Sequence, residues 1–133
     1  MVGYSETRDF EPEEIRKLFE SLNWSSAAHA KRVAAALRES DYVASARDGG
    51  ELVGLVSVIS DRHMTAYVPY AAVRPDRQNS GIGRALMEMV NARYADLPRI
   101  ALIAVDEAVE FYLKCGYSLG RAKKPMFITS LGL

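Results

Sequence analysis

Two glycines lie one residue apart in the stretch Val73-Arg-Pro-Asp-Arg-Gln-Asn-Ser-Gly-Ile-Gly-Arg-Ala-Leu86, between a predicted strand and a predicted helix. Pro75 ends the strand, because proline has no N–H to donate to a sheet. Gly81 and Gly83 have no Cβ, so a ligand can approach their backbone closely. The helix that follows begins with unpaired N–H groups and the positive end of its dipole. The stretch therefore predicts a binding site for a phosphate or pyrophosphate group.

Other glycine-rich phosphate sites make different demands on the sequence. A Walker loop needs Lys and then Ser or Thr directly after its last glycine, whereas Arg84 and Ala85 follow Gly83. A dinucleotide-binding fingerprint needs a third glycine where Leu86 stands. The pattern that remains is Gln78-x-x-Gly81-x-Gly83. A glycine turn that only caps a helix is the alternative that this pattern leaves open.

A second motif lies further along the chain, in the stretch Ala108-Val-Glu-Phe-Tyr-Leu-Lys-Cys-Gly-Tyr117. In order and spacing, the two motifs resemble the signatures of the GNAT superfamily of N-acetyltransferases. The first resembles the acyl-CoA pyrophosphate loop, and the second resembles a helix that reads A-x-x-F-Y-x-K-x-G-[FY]. The resemblance extends from about Tyr42 to the C-terminus and is to small, single-domain, bacterial-type members.

This resemblance implies an α+β fold of the GNAT acyl-CoA N-acyltransferase type. Its central sheet is mostly antiparallel, is flanked by helices, and contains one parallel strand pair that splays apart and leaves backbone groups available to a ligand. The implied acetyl donor is acetyl-CoA, with no metal, and with the pantetheine arm and acetyl carbonyl held by residues 71–73. The residues implied to bind acetyl-CoA are Ala71, Ala72, Val73, Gln78, Asn79, Ser80, Gly81, Ile82, Gly83 and Arg84.

Tyr112 is the predicted general acid. Direct attack of an amine on a thioester needs an acid for the departing thiolate. A tyrosine with a pKa of ~10 is protonated at neutral pH and can protonate a thiolate with a pKa of ~8.5. Tyr112 also matches the tyrosine of the GNAT motif. A residue that only packs in the core, like its neighbour Phe111, is the alternative.

The general base has several candidates, because the predicted strand from Thr65 to Val73 contains no carboxylate. Asp61 and His63 precede this strand, and Asp76 follows it. The resemblance favours Asp61, because small GNAT enzymes often have Ser-Asp at this point of the chain. Asp61 could equally be a turn carboxylate that accepts hydrogen bonds from its own backbone.

Three aromatic residues are predicted to bind the acceptor. Trp24 belongs to the helical segment that covers the acceptor pocket in GNAT enzymes, and Tyr67 and Tyr70 lie on the strand before the glycine loop. Packing in the core is the alternative for each of them. Small GNAT enzymes often carry arginine where Ser57 stands and aspartate where Tyr70 stands, so their substrate is not transferred to this chain.

Hydrophobic periodicity and turn residues predict the elements that position these side chains. Pro12 begins a first helix, and Ser25 or Ser26 caps a second. Gly54 predicts a bulge or a close backbone approach within a strand. The apolar run 99–105 predicts a strand covered on both faces and parallel to the one before the loop. The other predicted strands cover residues 2–7, 42–47, 51–60 and 65–73, and a final hairpin of 117–119 with 126–131 closes the sheet.

Composition limits the classes of partner. Seventeen basic and seventeen acidic residues give the 133-residue chain a formal net charge of zero, and neither sign forms a block. We therefore expect no nucleic-acid or anionic-membrane partner. The chain has no apolar run near the ~20 residues that span a bilayer, no export signal, and a single cysteine, which suits a reducing compartment. We expect one cytoplasmic domain over residues 1–133, and the resemblance adds a homodimer.

The combined motifs predict an N-acetyltransferase that moves the acetyl group of acetyl-CoA to a primary amine of a small molecule. The amine attacks directly, so both substrates are bound in a ternary complex. Two alternatives stay open. One is an acyl-CoA-binding sensor or interaction domain without catalysis, and the other is an acetyltransferase for protein lysines or N-termini.

Overall fold

A five-stranded sheet with helices on both faces forms the protein, and the computed structural model describes residues 1–132. The strands lie side by side in chain order, with β4 and β5 parallel and all other neighbours antiparallel. This confirms the predicted α+β architecture with one parallel strand pair. The elements are β1 (Val2–Ser5), α1 (Pro12–Ser21), α2 (Ala30–Glu39), β2 (Tyr42–Asp48), β3 (Glu51–Ser60), β4 (Thr65–Val73), α3 (Ile82–Arg93), β5 (Arg99–Leu102) and α4 (Val109–Lys114).

The sheet separates two hydrophobic cores. Helix α3 lies on one face, and α1 and α2 lie on the other. Because side chains alternate along a strand, the central strands β2 and β3 supply residues to both cores. Helix α1 begins at Pro12, as predicted, and its first turn is closed by a hydrogen bond from the Glu11 N–H to the Glu14 carboxylate (2.9 Å). The fully buried helical side chains include Ile15, Leu18, Phe19, Leu37, Leu86 and Val90.

A bulge interrupts β4 at Val68 and Pro69. Ser57 of β3 pairs with Tyr70, but Ile59, two residues further along β3, pairs with Tyr67, which is three residues away from Tyr70 on β4. Strand β4 therefore has one more residue than β3 across this interval. Pro69 suits the bulge because it has no N–H to give to the ladder.

The bulge decides which side chains share a face of β4. Residues three apart face opposite sides of a regular strand. Here Val68 and Ala71 are three apart, yet both pack in the α3 core. For the same reason Tyr67 and Tyr70 lie on one face, the one that α1 and α2 cover. The sequence alone did not predict this bulge.

The parallel pair separates at the same point. Pairing of β4 with β5 runs from Thr65 opposite Arg99 to Val68 opposite Leu102, and there it ends. Strand β4 continues to Val73 without β5 beside it. This is the splayed arrangement that the resemblance implies, and it leaves the second half of β4 with one open edge.

The predicted C-terminal hairpin is wrong. Within the described residues, 117–132 contain no strand. The segment begins with the Tyr117 N–H bonded to the Tyr112 carbonyl (3.0 Å), which ties it to α4 instead of to the sheet. Its large apolar side chains stay exposed, with Ile128 fully so. Alternating apolar residues indicate a strand only where a partner strand covers them.

Strand β5 is shorter than predicted, and it is not covered on both faces. It ends at Leu102, and Ile103 and Val105 beyond it are 47% and 67% exposed, because no hairpin lies against them. The predicted cap at Ser25 or Ser26 is also wrong. A short 3-10 helix, Ser25–His29, precedes α2 and begins with a bond from the Ala27 N–H to the Trp24 carbonyl (3.1 Å).

We predict that Gly54→Ala destabilises the fold, because Gly54 lies where β3 meets β4 and α3. A Cβ at this position would lie 3.2 Å from the Ala72 carbonyl oxygen and 3.2 Å from Leu86 Cδ1. The expected loss is about 1–3 kcal/mol in the free energy of unfolding, measured by urea denaturation. Gly3→Ala is the matched control, since nothing lies within 4 Å of a Cβ there. Equal effects of the two substitutions would contradict the prediction.

Candidate active site

The loop between β4 and α3 presents a row of backbone N–H groups. Asn79 (φ 63°) and Gly81 (φ 90°) are both in the left-handed region, which turns the chain into the helix. The first helical hydrogen bond runs from the Ala85 N–H to the Gly81 carbonyl (3.0 Å). Within residues 1–132, no N–H from Asn79 to Arg84 donates to a backbone acceptor. These groups, with the positive end of α3, are suited to an anion.

Three side chains of this loop, Arg77, Gln78 and Ser80, stabilise its conformation through bonds within the protein. The Gln78 amide donates to the Val73 carbonyl (3.0 Å), and the Ser80 hydroxyl donates to the Arg77 carbonyl. The Arg77 guanidinium forms an ion pair with Asp48. The polar groups of Gln78 and Ser80 are therefore used within the protein, and a ligand would meet the backbone.

Gly83 makes room for a side chain of α4. A Cβ on Gly83 would lie 3.2 Å from Phe111 Cζ and 3.5 Å from Val73 Cγ2. The sequence pattern indicated that both glycines admit a ligand, but the space beside Gly83 is filled by the Phe111 ring. Gly81 has open space around it and a positive φ, so of the two glycines it is the one that serves the turn. The contact between Gly83 and Phe111 brings α4 against the start of α3.

The second half of β4 offers two of the three predicted backbone positions to the cleft. The Arg74 N–H donates to the Val53 carbonyl (2.9 Å). Because polar groups alternate along an antiparallel strand, Ala72 bonds β3, whereas Ala71 and Val73 direct their N–H and C=O groups to the open edge. The Val73 carbonyl is taken by Gln78. The backbone of Ala71 and the N–H of Val73 remain for a ligand, and Ala72 does not reach the cleft.

Tyr112 is half-buried on α4, one residue after the ring that packs on Gly83. Its ring meets those of Phe111 and Tyr117 edge-on, with centroids 5.0 and 5.9 Å away. The Tyr117 hydroxyl donates to the Asn91 side chain (2.8 Å), whereas no partner for the Tyr112 hydroxyl lies among residues 1–132. Burial, with a smaller effect of Cys115, raises the pKa of Tyr112. Its phenol is therefore protonated at neutral pH and has a proton to donate.

Asp61 lies in the exposed turn between β3 and β4. Its Oδ1 accepts hydrogen bonds from the N–H groups of Met64 (2.8 Å), His63 (2.9 Å) and Thr65 (3.2 Å). These bonds lower the pKa of Asp61 to about 2. Such a carboxylate binds a proton too weakly to act as a base at neutral pH. The geometry gives Asp61 the role of a turn carboxylate. Of the other two candidates for the base, His63 and Asp76, Asp76 forms an ion pair with Arg74 (2.7 Å).

An aromatic cluster lies on the face of β4 that α1 and α2 cover. The Phe19 ring contacts Trp24 and Tyr70, each with centroids 5.1 Å apart, and Trp24 stacks near Tyr70 at 6.2 Å. The Tyr70 hydroxyl lies 3.4 Å from the Ser26 hydroxyl. Two of the predicted acceptor residues are thus brought together. From the sequence, Ser26 was predicted only as a possible helix cap.

Residues 1–132 contain neither a metal-binding cluster of side chains nor a helix able to cross a membrane. No group of three or more His, Cys, Asp or Glu side chains there is arranged to hold a metal ion. No helix in this part of the chain has both the length and the apolar character needed to cross a membrane.

The chain is similar to proteins named as acetyltransferases. The N-acetyltransferase named ycf52 of Porphyra purpurea, itself described as uncharacterized, is 28% identical over 122 residues, which are 87% of this chain and 70% of that protein. A histone acetyltransferase, TAP1, of Glycine max is 29% identical over 129 residues, which are 87% of this chain and 55% of that protein. The chain thus spans just over half to about two thirds of the length of these relatives.

Solved structures share the whole fold. A probable acetyltransferase from Staphylococcus aureus superposes with a TM-score of 0.85 at 20% identity, over 97% of this chain and 99% of that one. A GNAT-family acetyltransferase from Streptococcus pneumoniae gives 0.81 at 21% identity, over 98% and 99%. The family model described as an acetyltransferase (GNAT) domain matches residues 6–124. With nearly the whole chain matched and the fold shared, this protein belongs to the GNAT family of acetyltransferases.

Proposed function

We propose that this protein is an N-acetyltransferase that moves the acetyl group of acetyl-CoA to the primary amine of a small molecule. One arrangement carries the proposal. The N–H row from Asn79 to Arg84 opens beside α4, which carries the protonated phenol of Tyr112 one residue after Phe111, with no partner for its hydroxyl among residues 1–132. The Gly83–Phe111 contact sets this proximity. An anion site beside a proton donor is the combination that transfer from a phosphate-bearing thioester requires.

The chain's own groups fit acetyl-CoA. The N–H groups at the start of α3 would hold the pyrophosphate, because a helix N-terminus attracts anions through both its unpaired donors and its dipole. In acetyl-CoA the pantetheine arm lies between the pyrophosphate and the acetyl group, so the Val73 N–H, next to the loop, would bind an amide of the pantetheine arm as a neighbouring strand would. The Ala71 N–H, further from the loop on the same open edge, is the donor for the oxygen of the acetyl group, and one such donor supplies ~3 kcal/mol of transition-state stabilisation.

In the proposed reaction, the amine nitrogen attacks the thioester carbonyl carbon. A C–N bond forms, the C–S bond breaks, and its electron pair leaves with sulfur. Tyr112 gives its proton to that sulfur, and the proton lost from the nitrogen passes through water to restore the phenol. Asp61 has no part in this scheme, because its pKa of about 2 prevents it from holding the amine's proton.

Trp24 and Tyr70, which are partly exposed and pack on the buried ring of Phe19, support a small acceptor. Rings of this kind can bind an apolar or cationic group of a few carbon atoms. The zero net charge does not favour a strongly basic protein substrate. TAP1, of which this chain covers 55%, is named a histone acetyltransferase. A lysine peptide is therefore the competing acceptor.

One observation favours a second function, that of an acyl-CoA sensor. Strand β4 carries no carboxylate, and the carboxylate of Asp61, in the turn before it, is bound to that turn. A domain that binds the coenzyme without a base can report its level without turnover.

Release of coenzyme A separates these functions. With acetyl-CoA and a panel of small primary amines and one lysine peptide, a thiol-reactive dye should report release that depends on protein and on a small amine. Release with the peptide alone would move the acceptor to proteins. Binding of acetyl-CoA without release from any acceptor would favour the sensor.

We predict that Tyr112→Phe lowers kcat by ~10²–10⁴-fold, the usual contribution of a general acid, and leaves acetyl-CoA affinity unchanged. The control is Tyr117→Phe, which removes a neighbouring phenol that is already bonded to Asn91. It should keep most of the turnover. Full turnover by Tyr112→Phe would remove the assigned acid.

We predict that Asp61→Asn keeps kcat, whereas loss of a catalytic base would cost ~10²-fold or more. It should instead lower the thermal midpoint at pH 7. The folded-state pKa of Asp61, about 2, is below the unfolded value of ~3.9, so its stabilisation is present above pH 4 and is lost as the pH falls to 2. The midpoints of the variant and the parent should therefore converge near pH 2. A large loss of kcat with an unchanged midpoint would restore Asp61 as the base.

A further inference from the structure

A cavity of about 220 Å³ lies at the end of the sheet away from the glycine loop. It opens where β1 ends, β2 begins and α3 ends, beside the turn between β3 and β4. Helix α3 has 12 residues, so its two ends are ~18 Å apart and the cavity is separate from the candidate active site. The cavity is lined by Glu6, Arg8, Asp41, Tyr42, Arg62 and Arg93.

Both carboxylates of the cavity already have partners. Asp41 accepts a hydrogen bond from the Tyr94 hydroxyl (2.7 Å) and forms an ion pair with Arg62. Burial opposes its ionisation, but these two bonds outweigh burial and lower the pKa of Asp41. Glu6 accepts a hydrogen bond from the Tyr42 hydroxyl. The Tyr42 phenol adds no charge, so the lining holds three guanidinium groups and two carboxylates, an excess of one positive charge.

Two of the three guanidinium groups, those of Arg8 and Arg93, are positioned by uncharged groups. Arg8 is held by a hydrogen bond to the Ser40 carbonyl (2.9 Å), and Arg93 lies over the Tyr42 ring, 5.1 Å from its centroid. Across residues 1–132, neither forms an ion pair with a carboxylate, although Arg62 does. Contacts that carry no negative charge thus position two cations around one cavity. Most of their N–H donors are unused.

We propose that this cavity binds a small oxyanion, a phosphate or a carboxylate, between Arg8 and Arg93. A guanidinium group offers paired N–H donors that match two oxygens of such an anion. The volume equals roughly seven water molecules and is below the ~300 Å³ at which pockets for larger ligands begin. The occupant is therefore an ion or a small metabolite. Because Arg8 and Arg93 are exposed, the expected affinity is on the order of millimolar.

Side-chain NMR on the ¹⁵N-labelled full chain tests the site. Inorganic phosphate and acetate are titrated separately at constant ionic strength while the arginine Nε–Hε signals are followed. The Arg8 and Arg93 signals should shift and saturate with one of the two anions, which identifies its type. The signal of exposed Arg32 should not respond. Phosphate bound at the glycine loop appears separately, in the backbone signals of Asn79–Arg84. Without saturation at Arg8 and Arg93 with either anion, the proposal is wrong.

Variants then test the two arginines. Arg93→Gln should weaken binding of the identified anion about tenfold, as loss of a charged hydrogen bond does, and Arg8→Gln should do the same. Arg32→Gln, which changes the net charge equally, should leave it unchanged. Equal weakening by Arg32→Gln would show unspecific attraction and overturn the site. If a cavity variant does not fold, the titration of the parent protein decides. The arginine signals can be followed whether or not the protein binds acetyl-CoA, so the oxyanion site and the proposed acetyltransferase function can fail separately.

Discussion

The separation of β4 from β5 is the constraint on which the site depends. A parallel ladder consumes every N–H and C=O group along its shared edge, and here it stops at the Val68-Pro69 bulge. From that point β4 is held by β3 alone, so its other edge keeps the hydrogen-bonding capacity of a strand. The same bulge turns Tyr70 towards α1 and α2. The bulge thus coincides with the start of an open backbone edge and places Tyr70 in the aromatic cluster, the two features on which the proposed donor and acceptor sites depend.

The close contact between α3 and α4 then brings the two sequence motifs together. Without a side chain on Gly83, the Phe111 ring reaches the first turn of α3. Tyr112 follows Phe111 directly, so the hydrophobic contact that anchors Phe111 also determines where α4 places the phenol. The two sequence motifs are therefore one structural unit, because the second glycine of the first motif receives the phenylalanine of the second. Membership of the GNAT family is in keeping with this arrangement.

Most of the fold was predictable from local pattern. The helix at Pro12, the hairpin of β2 and β3, the loop and the parallel pair all follow from turn residues and periodicity. The C-terminal hairpin was not predictable, because a short apolar run forms a strand only where a neighbouring strand has an edge free to pair and another element covers the apolar side chains. The bulge was missed because its signal, one proline within a strand, also fits an edge strand. The site was half predictable: motif residues fell near one another, whereas the charge state of Asp61 depends on three backbone N–H groups that a sequence does not place.

The loop presents backbone donors, whereas the side chains of Gln78 and Ser80 bond backbone carbonyls within the protein. This difference has a consequence for evolution. Amide hydrogens are the same whatever side chain is attached, so an exposed position such as Arg84 can vary with little effect on the binding proposed for this loop, whereas Asn79, at φ 63°, is restricted by its backbone conformation. The aromatic cluster consists of side chains, so substitutions there change the surface directly. Under the proposed function, selection can therefore exchange one amine for another while the coenzyme site stays unchanged.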